Sequence, residues 1–184
     1  MLEYKELIEA CVKGDRSAQR EFYDLFSKRM YLVCLRYTKS QMEAEDVLQD
    51  SFFKVFNNLK GYRGESRLEF WIKRIVINTA INSQRKKLYM YPMVDVEDLK
   101  NEFDTSKALS NFEMEDLLNM IRQLPTGCQT IFNLFAIEGY SHKEIAEMLE
   151  VSEGTSKSQF ARARKLLQSK IAAEDKTESY EKYK

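Results

Sequence analysis

The chain of 184 residues has one histidine, two prolines, three cysteines and no surplus charge, with 29 basic residues set against 29 acidic ones. Each shortage closes off a class of function. His142 has no cysteine or second histidine at ligand spacing, which removes zinc chemistry and most acid–base catalysis. Cys11, Cys34 and Cys128 lie far apart among apolar neighbours and read as buried free thiols in a reducing compartment, not as disulfides or metal ligands. No apolar run approaches the roughly 18 residues that span a bilayer, and the start MLEYKELIEA is too acidic and too interrupted for a signal peptide. The expectation is a cytoplasmic protein with no metal, no cofactor and no enzymatic activity. A zero net charge also argues against a nucleic-acid binder that relies on a global positive field.

Charge is segregated along the chain, however. From Gly61 to Met90, Arg63, Arg67, Lys73, Arg74, Arg85, Lys86 and Lys87 face only Glu65 and Glu69, a net of +5. Tyr91 to Asp116 is acidic, with a net of −6, and Glu153 to Lys170 returns to +4. Two basic segments therefore flank an acidic one, and averaging hides both.

Nearly every periodic segment predicts helix. Leu7, Ile8, Cys11 and Val12 suggest a short first helix ending at Gly14, and Ala18, Phe22, Leu25, Phe26, Val33, Cys34 and Tyr37 suggest a second. Ala44, Val47, Leu48, Phe52, Val55, Phe56 and Leu59 mark a third, with Ser40 and Glu43 as a capping box. Ser66 and Glu69 match a second box, opening a helix to about Lys87 with Leu68, Ile72, Ile75 and Thr79 on its buried side. Periodicity stops at YMYPMVDVEDLKNEFDTSKA, where Pro92 and acidic composition predict a linker. Helix resumes near Asn111, with Pro125 at a later helix start and a turn at Gly139. The fold class is all-α: two small helical domains, 1–90 and 111–173, joined by a flexible acidic linker, 91–110, with a polar tail, 174–184, that frays.

Four features bear on function. GYSHKEIAEMLE followed by SEGTSKSQFARARK reads as a helix-turn-helix, in which Ser156, Phe160, Ala163 and Leu167 face a core while Ser158, Ala161, Arg162 and Lys165 face outward. Helix pairs also occur in plain bundles, but Lys157, Arg162, Arg164 and Lys165 suit phosphates, and Ser158 and Arg162 suit base edges. On the helix after Ser66, Trp71, Arg74, Asn78, Asn82 and Arg85 line one side; this is either a solvated face or a surface for unstacked bases. Glu45, Asp46, Gln49 and Asp50 suit the helix dipole, whereas Phe53 among them suits a protein contact. The acidic segment is a solvating spacer or a mimic of nucleic acid in a basic channel.

The run AEDVLQDSFFKVF, the stretch YRGESRLEFWIKRIVINTAINSQRK and the pair LPTGCQTIFNLFAIEGYSHKEIAEMLEVSEGTSKSQFARARKLL, in this order, resemble the two conserved domains of sigma-70 family RNA polymerase sigma factors. The short chain, with nothing before the first domain and only a linker between the two, is similar to the extracytoplasmic-function (ECF) group, and the match runs from about Glu6 to Gln168. By position, the resemblance implies that Asp46, Gln49, Asp50 and Phe53 bind the coiled coil of the polymerase beta-prime clamp. It implies that Trp71, Arg74, Asn78, Asn82 and Arg85 open and read the minus-10 element. The loop Tyr62 to Phe70, with Tyr62 and Arg63, matches one that captures a flipped base. Thr155, Lys157, Ser158, Ala161, Arg162, Arg164 and Lys165 match the helix that lies in the major groove at the minus-35 element. The linker would thread toward the polymerase active-site channel.

Four positions depart from the family pattern. Glu150 stands where a glycine commonly closes the first helix, so the turn is expected to use another conformation. Ser156 replaces a valine at a burial cost of about 1 kcal/mol, Gln159 replaces a common arginine, and Ala161 a bulkier reader. The function so implied is a promoter-specificity subunit that binds core polymerase, including its beta flap, and promoter DNA, is monomeric when free and is restrained by an anti-sigma factor. The alternatives are a stand-alone helix-turn-helix regulator, which needs a dimer, and a helical nuclease using Glu45, Asp46 and Asp50.

Overall fold

A computed structural model describes residues 4–90 and 114–181, and side chains within 4–84 and 116–172. Eight α-helices and no strand are found among the described residues. They fall into two compact units, Met1–Arg85 and Lys86–Lys184. The segment read as a linker, and the last three residues of the tail, lie outside the described residues.

In the first unit α1 (Lys5–Val12), α2 (Arg16–Tyr37), α3 (Gln41–Asn58) and most of α4 (Leu68–Met90), which runs on past Arg85, follow one another, with a 3₁₀ turn at Leu59–Gly61. Gly14, at φ +83, reverses the chain after α1 as its position predicts. Asp15 then caps α2, its carboxylate accepting from the Ser17 and Ala18 N–H groups at 2.8 and 3.2 Å. Phe22, Met30, Tyr37, Val55, Leu59 and Ile72 are fully buried, and the Phe22 ring lies 5.0 Å from Phe26 and 5.6 Å from Phe56. Each such side chain contributes on the order of 1.5–3 kcal/mol of burial, which holds these helices together. Leu25, expected in this core, is exposed instead, because at 100° per residue it falls outside the arc of α2 centred on Phe22, Phe26 and Val33.

The two capping signals of this unit differ in outcome. Ser40 caps α3, accepting from the Glu43 N–H at 3.1 Å, and the Glu43 carboxylate accepts from the Lys39 N–H at 2.9 Å. Ser66 and Glu69 form no box. Both Glu69 carboxylate oxygens accept from Arg29 Nη1, at 3.1 and 3.2 Å, and α4 starts at Leu68 with the Arg67 carbonyl accepting from Phe70 and Trp71. A partner on α2 has outcompeted the local one. Beyond the expected Leu68, Ile72 and Thr79, α4 buries Val76, Ile77, Ala80 and Ile81, while Ile75 is only half-buried.

The second unit comprises α5 (Met114–Arg122), α6 (Thr126–Phe132) running into a π-helical turn at Asn133–Ile137, α7 (His142–Leu149) and α8 (Glu153–Glu181). Met120, Ile121, Leu124, Cys128, Ala163, Leu167 and Ile171 form a core shared by α5, α6 and α8, with Ile131, Leu134, Ile145 and Leu149 also buried. The Pro125 carbonyl accepts from the Gln129 N–H at 2.9 Å to start α6. Gly139, at φ +81, makes the turn before α7. The α8 backbone remains helical through Glu181, where composition predicts a frayed tail.

All three cysteines are free and buried, and burial pushes the Cys34 thiol up to about 12, which makes it inert. Among the described residues no helix is long and apolar enough to cross a membrane.

Candidate DNA and protein interfaces

On α3, Asp46, Gln49, Asp50 and Phe53 recur at three- and four-residue spacing and all are exposed, as the sequence predicts. Phe53 is 70% exposed, although the Phe52 beside it is buried and packs edge-on against Tyr23 at 4.7 Å. Tyr23, Glu45, Asp46, Gln49, Phe53 and Phe56 line a shallow groove of about 520 Å³ between α2 and α3. An acidic rim around aromatic walls suits a basic, partly apolar protein segment. Among the described residues no three His, Cys, Asp or Glu side chains converge to hold a metal ion.

On α4, Arg74, Asn78 and Asn82 are exposed along one line, with Trp71 half-buried at its start. Trp71 and Tyr62 pair at 5.5 Å, and the Tyr62 hydroxyl donates to the Ser66 carbonyl at 2.6 Å, which braces the loop before α4. Arg63 projects from that loop into solvent, and the Arg85 side chain lies outside the described residues. Sequence periodicity passes over one neighbour: Phe70, named above only as the end of the loop, is 54% exposed, with the Arg67 and Lys73 cations 5.9 and 5.7 Å from its ring centre. Its mismatch with the Leu68, Ile72 and Val76 stripe was a usable signal.

The helix-turn-helix is formed by α7 and α8. Ser141 and Glu144 close a reciprocal capping box at the start of α7, and the Ser141 hydroxyl holds the Glu144 carboxyl below the usual range. Glu150 ends α7 in the left-handed conformation, at φ 56 and ψ 44, which corrects the expectation that a residue other than glycine would force a different turn. Ser152 caps α8 by accepting from the Thr155 N–H at 2.9 Å. Thr155, Ser158, Ala161, Arg162 and Lys165 share the side of α8 away from buried Ser156, Ala163 and Leu167, with Lys157 and Arg164 toward its other margin. Lys157 and Lys165 are exposed, and the other five are half-buried. The Lys157 ammonium sits 2.7 Å from Glu153 and holds that carboxyl below its ordinary range.

Two departures from the family pattern acquire a physical role here. Ser156 is wholly buried, and its hydroxyl hydrogen-bonds His142 Nδ1 at 2.9 Å, joining the first turns of α7 and α8. The His142 ring stacks on Phe135 at 4.2 Å and 13°, with Phe160 edge-on at 5.7 Å. Burial holds its pKa below the ordinary histidine value, and the nearby Lys157 adds to this while Glu153 opposes it. Gln159 is buried and accepts from the Cys128 thiol at 3.0 Å, so it is a core residue of α8.

A helix-turn-helix whose second helix turns cations and small polar groups away from its core defines a DNA-binding regulator. Residues 22–88 match the family described as Sigma-70 region 2, and residues 114–167 match that described as Sigma-70, region 4. The chain is 30% identical over 177 residues to the ECF RNA polymerase sigma-E factor of Haemophilus influenzae, covering 90% of this chain and 93% of that one. It is 30% identical over 175 residues to the RNA polymerase sigma-H factor of Pseudomonas aeruginosa, covering 89% and 91%. The chain belongs to the sigma-70 family of RNA polymerase sigma factors, in the ECF group. Its fold is similar to that of the sigma factor RpoE of Bartonella quintana, solved in complex with the anti-sigma factor NepR, with a TM-score of 0.52, 20% identity, and coverage of 84% of this chain and 96% of that one.

Proposed function

We propose that the chain is a promoter-specificity subunit acting in the cytoplasm: it binds core RNA polymerase through α3, opens and reads the minus-10 element through α4, and reads the minus-35 element through α8. The observation that carries this beyond a plain helix-turn-helix regulator is the exposed Phe53 among carboxylates on α3, in a unit separate from the DNA-binding motif. Asp46, Gln49, Asp50 and Phe53 dock on the polymerase clamp coiled coil. Tyr62, Arg63, Trp71, Arg74, Asn78, Asn82 and Arg85 contact minus-10 DNA. Thr155, Lys157, Ser158, Ala161, Arg162, Arg164 and Lys165 enter the major groove, and the second unit also meets the beta flap.

The domain roles follow the same division, with 1–90 for polymerase and minus-10 binding, 91–110 as linker, 111–173 for minus-35 binding and 174–184 as tail. The chain contributes binding energy and no bond chemistry of its own. It is a monomer when free, and an anti-sigma factor, the class of partner described for the Bartonella protein, restrains it by covering these surfaces.

Run-off transcription with core polymerase over a promoter library tests the reading. Initiation is expected to depend on the chain, with Arg162→Ala weakening dependence on the upstream element and Asn78→Ala weakening strand opening. A promoter bound equally tightly by the free chain, with nothing added by polymerase, would establish a stand-alone regulator instead.

A further inference from the structure

Ser156 is a polar residue where the family pattern has valine, and it is wholly buried. A buried hydroxyl without a partner is costly, and here the partner is the chain's one histidine, with His142 Nδ1 at 2.9 Å from Ser156 Oγ. The bond ties the first residue of α7 to the first turn of α8, across the turn of the helix-turn-helix. The ring is itself held, stacked on Phe135 at 4.2 Å and met edge-on by Phe160 at 5.7 Å, so Nδ1 has a fixed direction.

Valine would fill this site by apolar contact, which has no direction and tolerates rotation of one helix against the other. A hydrogen bond weakens steeply once donor and acceptor are misaligned. The pair therefore fixes the rotation of α8 about its axis where apolar packing alone would not. That rotation aims the neighbouring residues, because Thr155, Lys157 and Ser158 flank Ser156, and the Ser158 hydroxyl is tied to the Thr155 carbonyl at 3.1 Å. Side-chain tips stand about 5–6 Å from a helix axis, so a rotation of about 10° moves them by about 1 Å, enough to misplace a bond to a base edge. We propose that His142 is a positioning residue for minus-35 reading: by holding Ser156 it sets the rotation at which α8 offers Thr155, Lys157 and Ser158 to the upstream bases. This rests on the minus-35 role proposed for α8.

The test uses holoenzyme assembled from core polymerase and the full chain, on promoters from the library that differ at single upstream base pairs. Valine and threonine are nearly the same size and differ by the hydroxyl, which makes Ser156→Val and Ser156→Thr a matched pair. Ser156→Val is expected to lower the preference among upstream base pairs about fivefold, the lower end of what one specific base contact supplies, and Ser156→Thr to keep it. Thermal unfolding should show Ser156→Val at least as stable as wild type, since it buries an apolar group, which separates loss of selection from loss of the fold. His142→Phe keeps an aromatic ring for the stack but has no Nδ1; it is expected to lose the same preference, and adding it to Ser156→Val to cost nothing further. Undiminished preference in Ser156→Val, equal loss in the valine and threonine variants, additive losses in the double variant, or a loss matched by a lower melting temperature each overturns the positioning role alone. A wild-type holoenzyme indifferent to every upstream base pair overturns the minus-35 role of α8, and the positioning role with it.

Discussion

At the scale of single residues, the helix-turn-helix carries strain at one position and a titratable joint at another. Glu150 holds a left-handed backbone that costs an L-residue roughly 1–2 kcal/mol, and the Val151 N–H bond to the Ala146 carbonyl at 3.1 Å closes the turn around it. Glu150→Gly should therefore raise stability by about 1 kcal/mol, reduced by the extra freedom of glycine in the unfolded chain. Urea unfolding checks this, and a lower midpoint for the glycine variant would refute strain at the turn. His142 gives a pH dependence of definite sign. Its folded-state pKa lies below the unfolded value, so the unfolded chain binds more protons as the pH falls. Its stabilising contribution is complete above the ordinary histidine pKa and is lost as the pH falls through the folded-state value. The melting temperature should drop as the pH falls below the ordinary histidine pKa of about 6.5, and His142→Asn should flatten that part of the profile. An unchanged slope in the variant would assign the titration to other groups.

At the scale of elements, periodicity and local punctuation made most helices legible. The helices were readable where apolar stripes repeat at three and four, and their ends where Gly14, Ser40 and Gly139 stand, because those signals act within a few residues. Legibility failed where a partner distant in sequence decides. Ser66 and Glu69 have the same spacing as Ser141 and Glu144, yet only the latter pair closes a box at its helix start, because Arg29 takes Glu69 from 40 positions away. Spacing assigned Gln159 to neither face of α8, and its buried partner, Cys128, lies 31 positions earlier. Aromatic residues on two neighbouring helices, α2 and α3, can therefore carry opposite consequences. Phe22→Ala should destabilise the first unit by about 3–5 kcal/mol, since it removes a wholly buried ring. Phe53→Ala should change stability by less than about 0.5 kcal/mol while weakening core polymerase binding by about 2 kcal/mol or more. Paired denaturation and binding measurements separate the two, and equal stability losses would mean that Phe53 is a packing residue.

At the scale of the whole molecule, the order of the two helical units was legible because three separate motifs recur in sequence, whereas the promoter contacts depend on side-chain directions that spacing constrains only loosely. Charge links the two. With a net of zero, but +5 over 61–90 and +4 over 153–170, the free chain lacks a global field to hold a duplex and concentrates its cations in two segments of the sequence. Binding of a promoter fragment by the free protein should accordingly be weak and steeply salt-dependent, and should tighten on adding core polymerase. Substitutions on α8 then divide by role. Lys165→Ala, which removes an exposed cation suited to a phosphate, should weaken holoenzyme binding about equally on all promoters and reduce the slope of log affinity against log salt by about one. Arg162→Ala should instead relax selection at one upstream base pair, at about 1–3 kcal/mol on the preferred sequence. Affinities measured over a salt series, on promoters that differ at single upstream positions, distinguish the two outcomes. If both substitutions lowered the slope and neither altered base preference, α8 would be binding backbone alone, and promoter choice would rest with α4 and the loop before it.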